Sequence, residues 1–230
     1  VVTSAFNEEK DLPKCLESLT NQTLAKEKYE LNIVDNNSTD KTSDIAKSFG
    51  ANVIKEIKQG YVFALSTGMN KVTGELIAVT DADTIVPPNW LEVIDKAFED
   101  EKVVAVTGIA DVKTKSKLFY FFAKKFYDYF LGINFLIGKP HLTGFNFAVR
   151  RSVFNEIGGL DTNYTMSPDV DLGLRMGKKG KVVYLKEMTV TTSFRRWQEE
   201  PLDAFTTYLK GYLWSAWLRK PPPVKQTVVR

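Results

Sequence analysis

The chain is poor in thiol and imidazole: one cysteine, Cys15, and one histidine, His141, stand among 230 residues. A single cysteine excludes an internal disulfide and any zinc site built on cysteines. A Ser-His-Asp mechanism would have to use His141, and no G-x-S-x-G elbow is present to carry its serine. No G-x-G-x-x-G follows the first strand-like run, and no G-x-x-x-x-G-K-[ST] occurs, so the dinucleotide fingerprint and the P-loop are both excluded. A nucleotide bound here would be held by side chains and a metal ion instead of a glycine-rich cradle. No apolar run is long enough to span a bilayer, and no signal peptide is evident. Excess charge of one sign is lacking too. The net charge of +3 is too small to argue for nucleic acid, yet it suits a phosphate-bearing substrate or an anionic membrane surface. The expected location is cytoplasmic, either free or peripheral on the cytoplasmic face of a membrane.

What the chain does have is a hydrophobic fraction of 43%, that of an ordinary globular protein, and a length that suits one large domain. Short apolar runs alternate with helical patterns through the first half. Strands are expected at 1–5, 31–34, 51–54, 76–79 and 103–107. Between them come a helix started by Asp11 and Pro13, a helix capped by Ser38, Thr39 or Asp40 and ended by Gly50, a helix over 61–71, and a helix after Pro87-Pro88. Such alternation implies an α/β fold with a mostly parallel sheet and helices on both faces. Cys15 shares a helical stripe with Leu12, Leu16 and Leu19, which reads as a buried structural thiol. The chain opens already inside a strand-like run, leaving room for residues upstream. Pro221-Pro222-Pro223 begins an extended tail, after which a longer product has room for a membrane segment.

The polar clusters fall at the carboxyl ends of these strands. Phe6-Asn7-Glu8-Glu9 follows the first, Asp35-Asn36-Asn37-Ser38 the second, and Asp81-Ala82-Asp83 the fourth. In open α/β sheets that edge is where ligands bind. Carboxylates at i and i+2 face opposite sides of a strand, but where a strand gives way to a loop both can turn to one point. Two hard oxygen ligands there suit Mg²⁺ or Mn²⁺ holding a diphosphate. The competing reading of Ser38 and Asp40 is helix capping alone.

In order and spacing, these clusters resemble a family 2 glycosyltransferase of the GT-A fold. Further support comes from Cys15-Leu16-Glu17-Ser18-Leu19, Thr143-Gly144-Phe145-Asn146 with Arg150-Arg151, Gly158-Gly159-Leu160-Asp161 and Asp169-Val170-Asp171-Leu172-Gly173-Leu174-Arg175. The resemblance covers nearly the whole chain and implies a single GT-A domain. Residues 1–110 would bind the nucleotide, 111–200 would shape the acceptor side, and 201–230 would form an amphipathic helix and tail. It implies an inverting transferase that takes a nucleotide-diphosphate sugar, UDP-linked by family habit, with a divalent cation, Mg or Mn. Donor contacts are implied for Ser4, Phe6, Asn7, Glu8, Asp35, Asn37, Gly60, Asp81, Ala82 and Asp83, with Asp81 and Asp83 at the metal. Gly144, Phe145, Asn146 and Asp171 would meet a saccharide or lipid-linked acceptor.

Asp169 matches the family's catalytic acid, but Pro168 stands where its partner glutamate is expected. Ser167-Pro168-Asp169 also reads as a plain helix start, with serine as the cap. The helix dipole would lower the pKa of Asp169, whereas burial and Asp171 would raise it. Ser193-Phe194-Arg195-Arg196-Trp197 resembles a Q-x-x-R-W element with serine for glutamine. Its arginines would neutralise a departing diphosphate or else form a solvated basic turn. His141 reads as a loop or partly buried residue. Leu118, Phe121, Phe122, Phe126, Tyr129 and Phe130 form a stripe expected to pack in the core. A second stripe, Phe205, Tyr208, Leu209, Tyr212, Leu213 and Trp217, reads equally as core or as a membrane-interface surface. The alternatives are a polyprenyl-phosphate sugar transferase, a nucleotidyltransferase that would release pyrophosphate, and a non-catalytic sugar-nucleotide-binding protein.

Overall fold

The computed structural model describes residues 1–112, 129–193 and 199–223. A seven-stranded sheet runs in the order β3-β2-β1-β4-β8-β6-β9. Its strands are β1 (Val2–Ala5), β2 (Asn32–Asp35), β3 (Asn52–Lys55), β4 (Leu76–Thr80), β6 (Val103–Thr107), β8 (Asn146–Arg150) and β9 (Lys181–Tyr184). Pairings within β3-β2-β1-β4 are parallel, as is β6 with β9, while β8 runs antiparallel between β4 and β6. Each expected strand of the first half is present to within a residue at its ends. The reversed strand β8 was not anticipated, nor was a small second sheet of β5 (Thr84–Ile85), β10 (Val190–Thr192) and β7 (Ala110–Val112). Strands of two or three residues are too short for alternation to show in the sequence.

The inner strands carry apolar residues toward both faces, so two cores form. On one face α1 (Leu12–Thr20) and α4 (Trp90–Ala97) bury Leu12, Cys15, Leu16, Leu19, Trp90 and Ile94 with Ile33, Ala78 and Val106 of the sheet. On the other, α3 (Tyr61–Lys71), α6 (Arg151–Glu156) and α7 (Pro168–Met176) bury Leu65, Met69, Phe154 and Leu172 with Val34, Val79 and Val149. Successive residues such as Ile77, Ala78 and Val79 divide between the two cores because strand side chains alternate. The edge strand helix α2 (Thr42–Ser48) contributes Ala46. Beyond the sheet lie α5 (residues 129–136) and α8 (Pro201–Leu213), which continues into a π-helical turn, Trp214–Leu218. No helix among the described residues is long and apolar enough to cross a membrane.

Two expected caps are corrected. The serine before α7, Ser167, has a left-handed φ of 57° and makes no side-chain cap bond. The carboxylate of Asp169 interacts with the backbone N–H groups of Asp169 and Val170 instead, so the helix start is served by its own first-turn acid. At α2 the helix begins at Thr42, and Ser38 has left it: its hydroxyl accepts from the Asn7 N–H at 3.0 Å.

One glycine marks where helix and sheet touch. A Cβ on Gly68 of α3 would lie 2.5 Å from Val34 Cγ2 and 2.6 Å from Val2 Cγ1. Gly68→Ala therefore forces α3 off β1 and β2 and is expected to lower stability by about 1–3 kcal/mol despite alanine's better helix propensity, read from urea unfolding midpoints.

Candidate active site at the carboxyl edge of the sheet

The parallel strands β1, β2 and β4 end at one edge, and β8 begins there because it runs the other way: Thr80 pairs with Asn146. Ala5 is level with Asp35 across β1 and β2, and Val2 with Val79 across β1 and β4. Asp35 and the start of the Asp81-Ala82-Asp83 segment thus stand on one rim, about 10 Å or two strand spacings apart. The loop 143–145, just before β8, joins the same rim.

Hydrogen bonds lace the first two loops together. The Glu8 N–H donates to Thr42 Oγ1 at 2.8 Å and the Glu9 N–H to Asp40 Oδ2 at 3.1 Å. Asn7 Oδ1 accepts from the Thr39 N–H at 2.8 Å. Asn7 and Asn37 take φ of 55° and 65°, a left-handed backbone that asparagine tolerates better than most residues. Asp35 is buried, its carboxylate accepting from the Ser38 N–H at 2.9 Å and the Ser43 hydroxyl at 2.5 Å. Buried Asn36 was given no role from sequence. Its amide donates to the Glu56 and Lys58 carbonyls at 3.0 and 2.8 Å, and its oxygen accepts from the Gly60 N–H at 2.8 Å. It therefore places Gly60, and with it the start of α3, on this rim.

The acids crowd. Asp81 has one carboxylate oxygen, Oδ1, buried without a hydrogen-bond partner. Burial raises its pKa well above the carboxylate range, and Asp83, Asp169 and Glu8 push it further in that order. Among the described residues no basic group offsets this. Below the segment, the Cys15 Sγ–H donates to the Asp81 carbonyl at 3.4 Å. Burial and the neighbouring acids push this thiol far up, so it is a neutral structural group as its helical stripe implied. Asp83 accepts from the Thr192 hydroxyl at 3.3 Å and closely from the Ser193 hydroxyl, so β10 and the main sheet meet at this carboxylate. Ser193 is the residue that stands where the resemblance expects a glutamine. Arg195, Arg196 and Trp197 lie outside the described residues.

Asp169 at the first turn of α7 faces the same point. Burial raises its pKa to about 6, against the lowering effect of N–H groups from Asp169, Val170 and Gly144. Desolvation thus outweighs the helix terminus, and Asp171 plays no part, being held by Arg175 Nε at 2.7 Å. Tyr61, which sequence reasoning passed over, bridges the halves. Its hydroxyl donates to the Gly144 carbonyl at 3.1 Å, and its pKa is raised by burial and then by Asp81 and Asp169. Only its position directly after Gly60 at a helix start hinted at this.

Not every expected acceptor residue opens onto the rim. Asn146 is wholly buried: its oxygen accepts from Trp90 Nε1–H at 2.9 Å, and its amide donates to the Ile109 carbonyl at 3.0 Å and to the Met188 carbonyl. Asp171 is buried in its ion pair, while Arg175 also donates to the Ile157 and Gly159 carbonyls at 3.1 and 2.7 Å. Phe145 packs partly buried against the first core. His141 is buried between the rings of Phe130 and Tyr212, with centroids 5.5 and 5.7 Å away, and burial lowers its pKa to about 4.

The residues fit a divalent cation. A buried, unpartnered carboxylate oxygen among like charges is costly until a cation neutralises it. Among the described residues no group of three His, Cys, Asp or Glu side chains could hold a metal. Asp81 and Asp83 would supply two oxygen positions and leave others to phosphate and water, the habit of Mg²⁺ sites.

The family model described as Glycosyl transferase family 2 matches residues 1–158. The chain belongs to that family. Among its relatives, a probable glycosyltransferase YdaM of Bacillus subtilis is 26% identical over 226 residues, covering 87% of this chain and 50% of that protein. A beta-monoglucosyldiacylglycerol synthase of Nostoc is 32% identical over 194 residues, 76% of this chain and 40% of that protein. A dolichyl N-acetyl-alpha-D-glucosaminyl phosphate 3-beta-D-2,3-diacetamido-2,3-dideoxy-beta-D-glucuronosyltransferase of Methanococcus voltae is 25% identical, covering 85% of this chain and 66% of that protein. The chain thus spans part of the length of these relatives. In fold it is similar to a Pyrobaculum calidifontis mannosyltransferase solved with GDP-Man and Mn²⁺, with a TM-score of 0.74 and 19% identity over 96% of this chain and 65% of that one. A Mycobacterium tuberculosis glucosyl-3-phosphoglycerate synthase solved with Mn²⁺ and UDP gives 0.62 and 19% over 94% of this chain and 78% of that one. The architecture is that of the GT-A glycosyltransferases.

Asn146→Ala separates a structural from a ligand-binding role. It leaves the Trp90 N–H and two carbonyls without their partner and is expected to cost about 3 kcal/mol of stability in urea unfolding. Nucleotide affinity of the folded fraction, read by calorimetry, should stay unchanged.

Proposed function

We propose that this chain transfers a sugar from a nucleotide-diphosphate donor to a lipid-linked acceptor, with inversion at the anomeric carbon. The observation that carries this reading is the convergence of Asp81, with its unpartnered oxygen, on Asp83, Glu8 and Asp169 at one rim. The acceptor class is favoured by two relatives, one a transferase named for a dolichyl phosphate sugar and the other a synthase of a glucosyldiacylglycerol. The donor base is open, since one neighbour holds GDP-Man and another UDP, with UDP the family habit.

In this reading the loops after β1 and β2 hold the nucleoside, with Asp35 at the base and Asn36 keeping Gly60 in line. Asp81 and Asp83 would hold the cation, which when bound supplies charge neutralisation for the departing diphosphate. The acceptor hydroxyl attacks the anomeric carbon from the face opposite the diphosphate. The bond to the diphosphate oxygen breaks as the new glycosidic bond forms, and the hydroxyl proton passes to Asp169. A carboxylate with a pKa of about 6 is a better proton acceptor than an ordinary aspartate and is still ionised at neutral pH. The Tyr61 hydroxyl, by fixing the Gly144 carbonyl, keeps the Gly144 N–H on that carboxylate. Arg195 and Arg196, outside the described residues, remain candidates for the diphosphate.

Donor binding is the first test. Thermal shift with UDP- and GDP-sugars should show stabilisation that requires Mn²⁺ or Mg²⁺, and Asp81→Ala should abolish the metal-dependent part. An unchanged metal-dependent shift in Asp81→Ala would remove the metal assignment. Product analysis should find a nucleoside diphosphate; pyrophosphate instead would make the chain a nucleotidyltransferase, and a bound but unconsumed donor a binding protein.

The base is tested by pH. Asp169 accepts a proton only when ionised, so turnover at saturating substrate should rise with pH through an apparent pKa near 6 and level off above it. Asp169→Asn should lower kcat by about 10²–10⁴-fold. Turnover left intact in that variant would point to an acceptor already anionic, such as a polyprenyl phosphate, which needs no base.

A further inference from the structure

Helix α8 is built inside out. Its face toward the protein carries small or polar residues, Ala204, Thr207 and Gly211, followed by Ser215 and Ala216 in the π-helical turn, all buried. The closeness is real: a Cβ on Gly211 would lie 2.6 Å from Ser167 Oγ and 3.0 Å from Met166 Cγ. Its large apolar residues point outward. Leu202 is 80% exposed, Phe205 52% and Trp217 57%, with Leu209, Leu213 and Leu218 exposed beside them.

The neighbouring helix α5 repeats the arrangement. Tyr129, Ile133 and Leu136 are exposed at i, i+4 and i+7, with Leu136 at 87%, while Leu131 and Asn134 are buried. The two helices are joined by the Tyr212 hydroxyl bonding Asn134 and by the edge-on contact of Phe130 with Tyr212. A water-facing helix normally shows the opposite polarity. Scattered exposed apolar residues need no explanation, but a run of them on adjoining helices marks an interaction surface.

Charge says what kind of surface. Lys139 lies with its Nζ 3.2 Å from the centroid of the Trp217 ring and donates to the Ala216 carbonyl at 3.0 Å. Arg219 and Lys220 follow Leu218 directly, and Lys210 is exposed on α8. No ion pair ties any of these four to a described carboxylate. Among the described residues of α5 and α8 the acids, Glu199, Glu200 and Asp203, sit at the other end of α8. Exposed tryptophan and leucine beside unpaired cations match a boundary with acyl chain on one side and anionic headgroup on the other. A protein partner would ask for the apolar patch but not for a one-signed rim against its centre.

We propose that the outward face of α5, α8 and the turn after it lies on a lipid bilayer bearing anionic headgroups, docking the protein without crossing it. The contact deepens the lipid-linked acceptor reading and rests on it for its purpose, though its measurement does not. Purified protein is mixed with neutral phosphatidylcholine vesicles and with vesicles also containing phosphatidylglycerol, then floated on a density gradient. The expected result is flotation with the anionic vesicles, weakened by salt, and reduced at least tenfold by Leu209→Ser with Leu213→Ser or by Arg219→Glu with Lys220→Glu. All four side chains are exposed, so the variants should keep the parent's unfolding midpoint and nucleotide affinity. Absence from both vesicle fractions at low salt overturns the proposal. So does a concentration-dependent dimer that the leucine variants dissociate while the parent leaves vesicles unbound. Asp81→Ala protein should float like the parent. Flotation without sugar-nucleotide consumption would therefore sink only the transfer reading, and consumption without flotation only this one.

Discussion

Carboxylates crowded together at one rim are the constraint on which the rest of the site depends. Asp81 is held where burial and three neighbouring acids all oppose its charge, and one of its oxygens touches no donor. Such an arrangement opposes folding and persists only because the surrounding structure over-determines it. The over-determination is visible. Cys15 holds the carbonyl of Asp81 from below, β4 continues into the segment from one side, and the Thr192 and Ser193 hydroxyls hold Asp83 from the other. On the reading proposed above, a divalent cation and a phosphorylated ligand arriving together would relieve this crowding.

The two cores make that rigidity possible. Strands buried on both faces cannot slip without exchanging their core residues, so the strand ends are set relative to one another. Asn146 adds a second fixed point. It ties α4, the start of β7 and the turn before β10 to the first residue of β8 through buried hydrogen bonds. The acids and the loop at 143–145 are therefore presented from one frame.

Much of this was legible in the sequence because it is local. Apolar runs bounded by polar clusters located β1, β2, β4 and β6 to within a residue, and the stripe through Cys15 and Leu19 located α1 and its buried face. Asp81 and Asp83 could be named from their place after a strand. What escaped was set by long-range pairing. The antiparallel direction of β8 depends on its neighbours β4 and β6, some 40 to 70 residues away, and nothing in Asn146–Arg150 encodes it. Asn146 and Asp171 looked like acceptor groups because polar residues in a family motif invite that reading. Their burial, and the partners Trp90 and Arg175, emerge only in three dimensions. The competition over Asp169 could not be decided from sequence, since the outcome turns on how much water the folded chain removes, and the push expected from Asp171 is absent because Arg175 holds that carboxylate. The aromatic pattern of α8 was ambiguous between core and interface, as a helical period reports which residues share a face and not which way that face points.

The reversed strand has a consequence for how such proteins diversify. Because β8 enters the sheet at the rim where its parallel neighbours leave, the chain preceding it arrives beside the acids from a different part of the sequence than the loops that would hold the nucleotide. On the transfer reading proposed above, residues ahead of Thr143 could be lengthened or rewritten while the grip on the leaving group stayed as it is. One scaffold would thus trade acceptors without rebuilding its donor side, with the Tyr61–Gly144 hydrogen bond as the seam across which the two inventories must still agree.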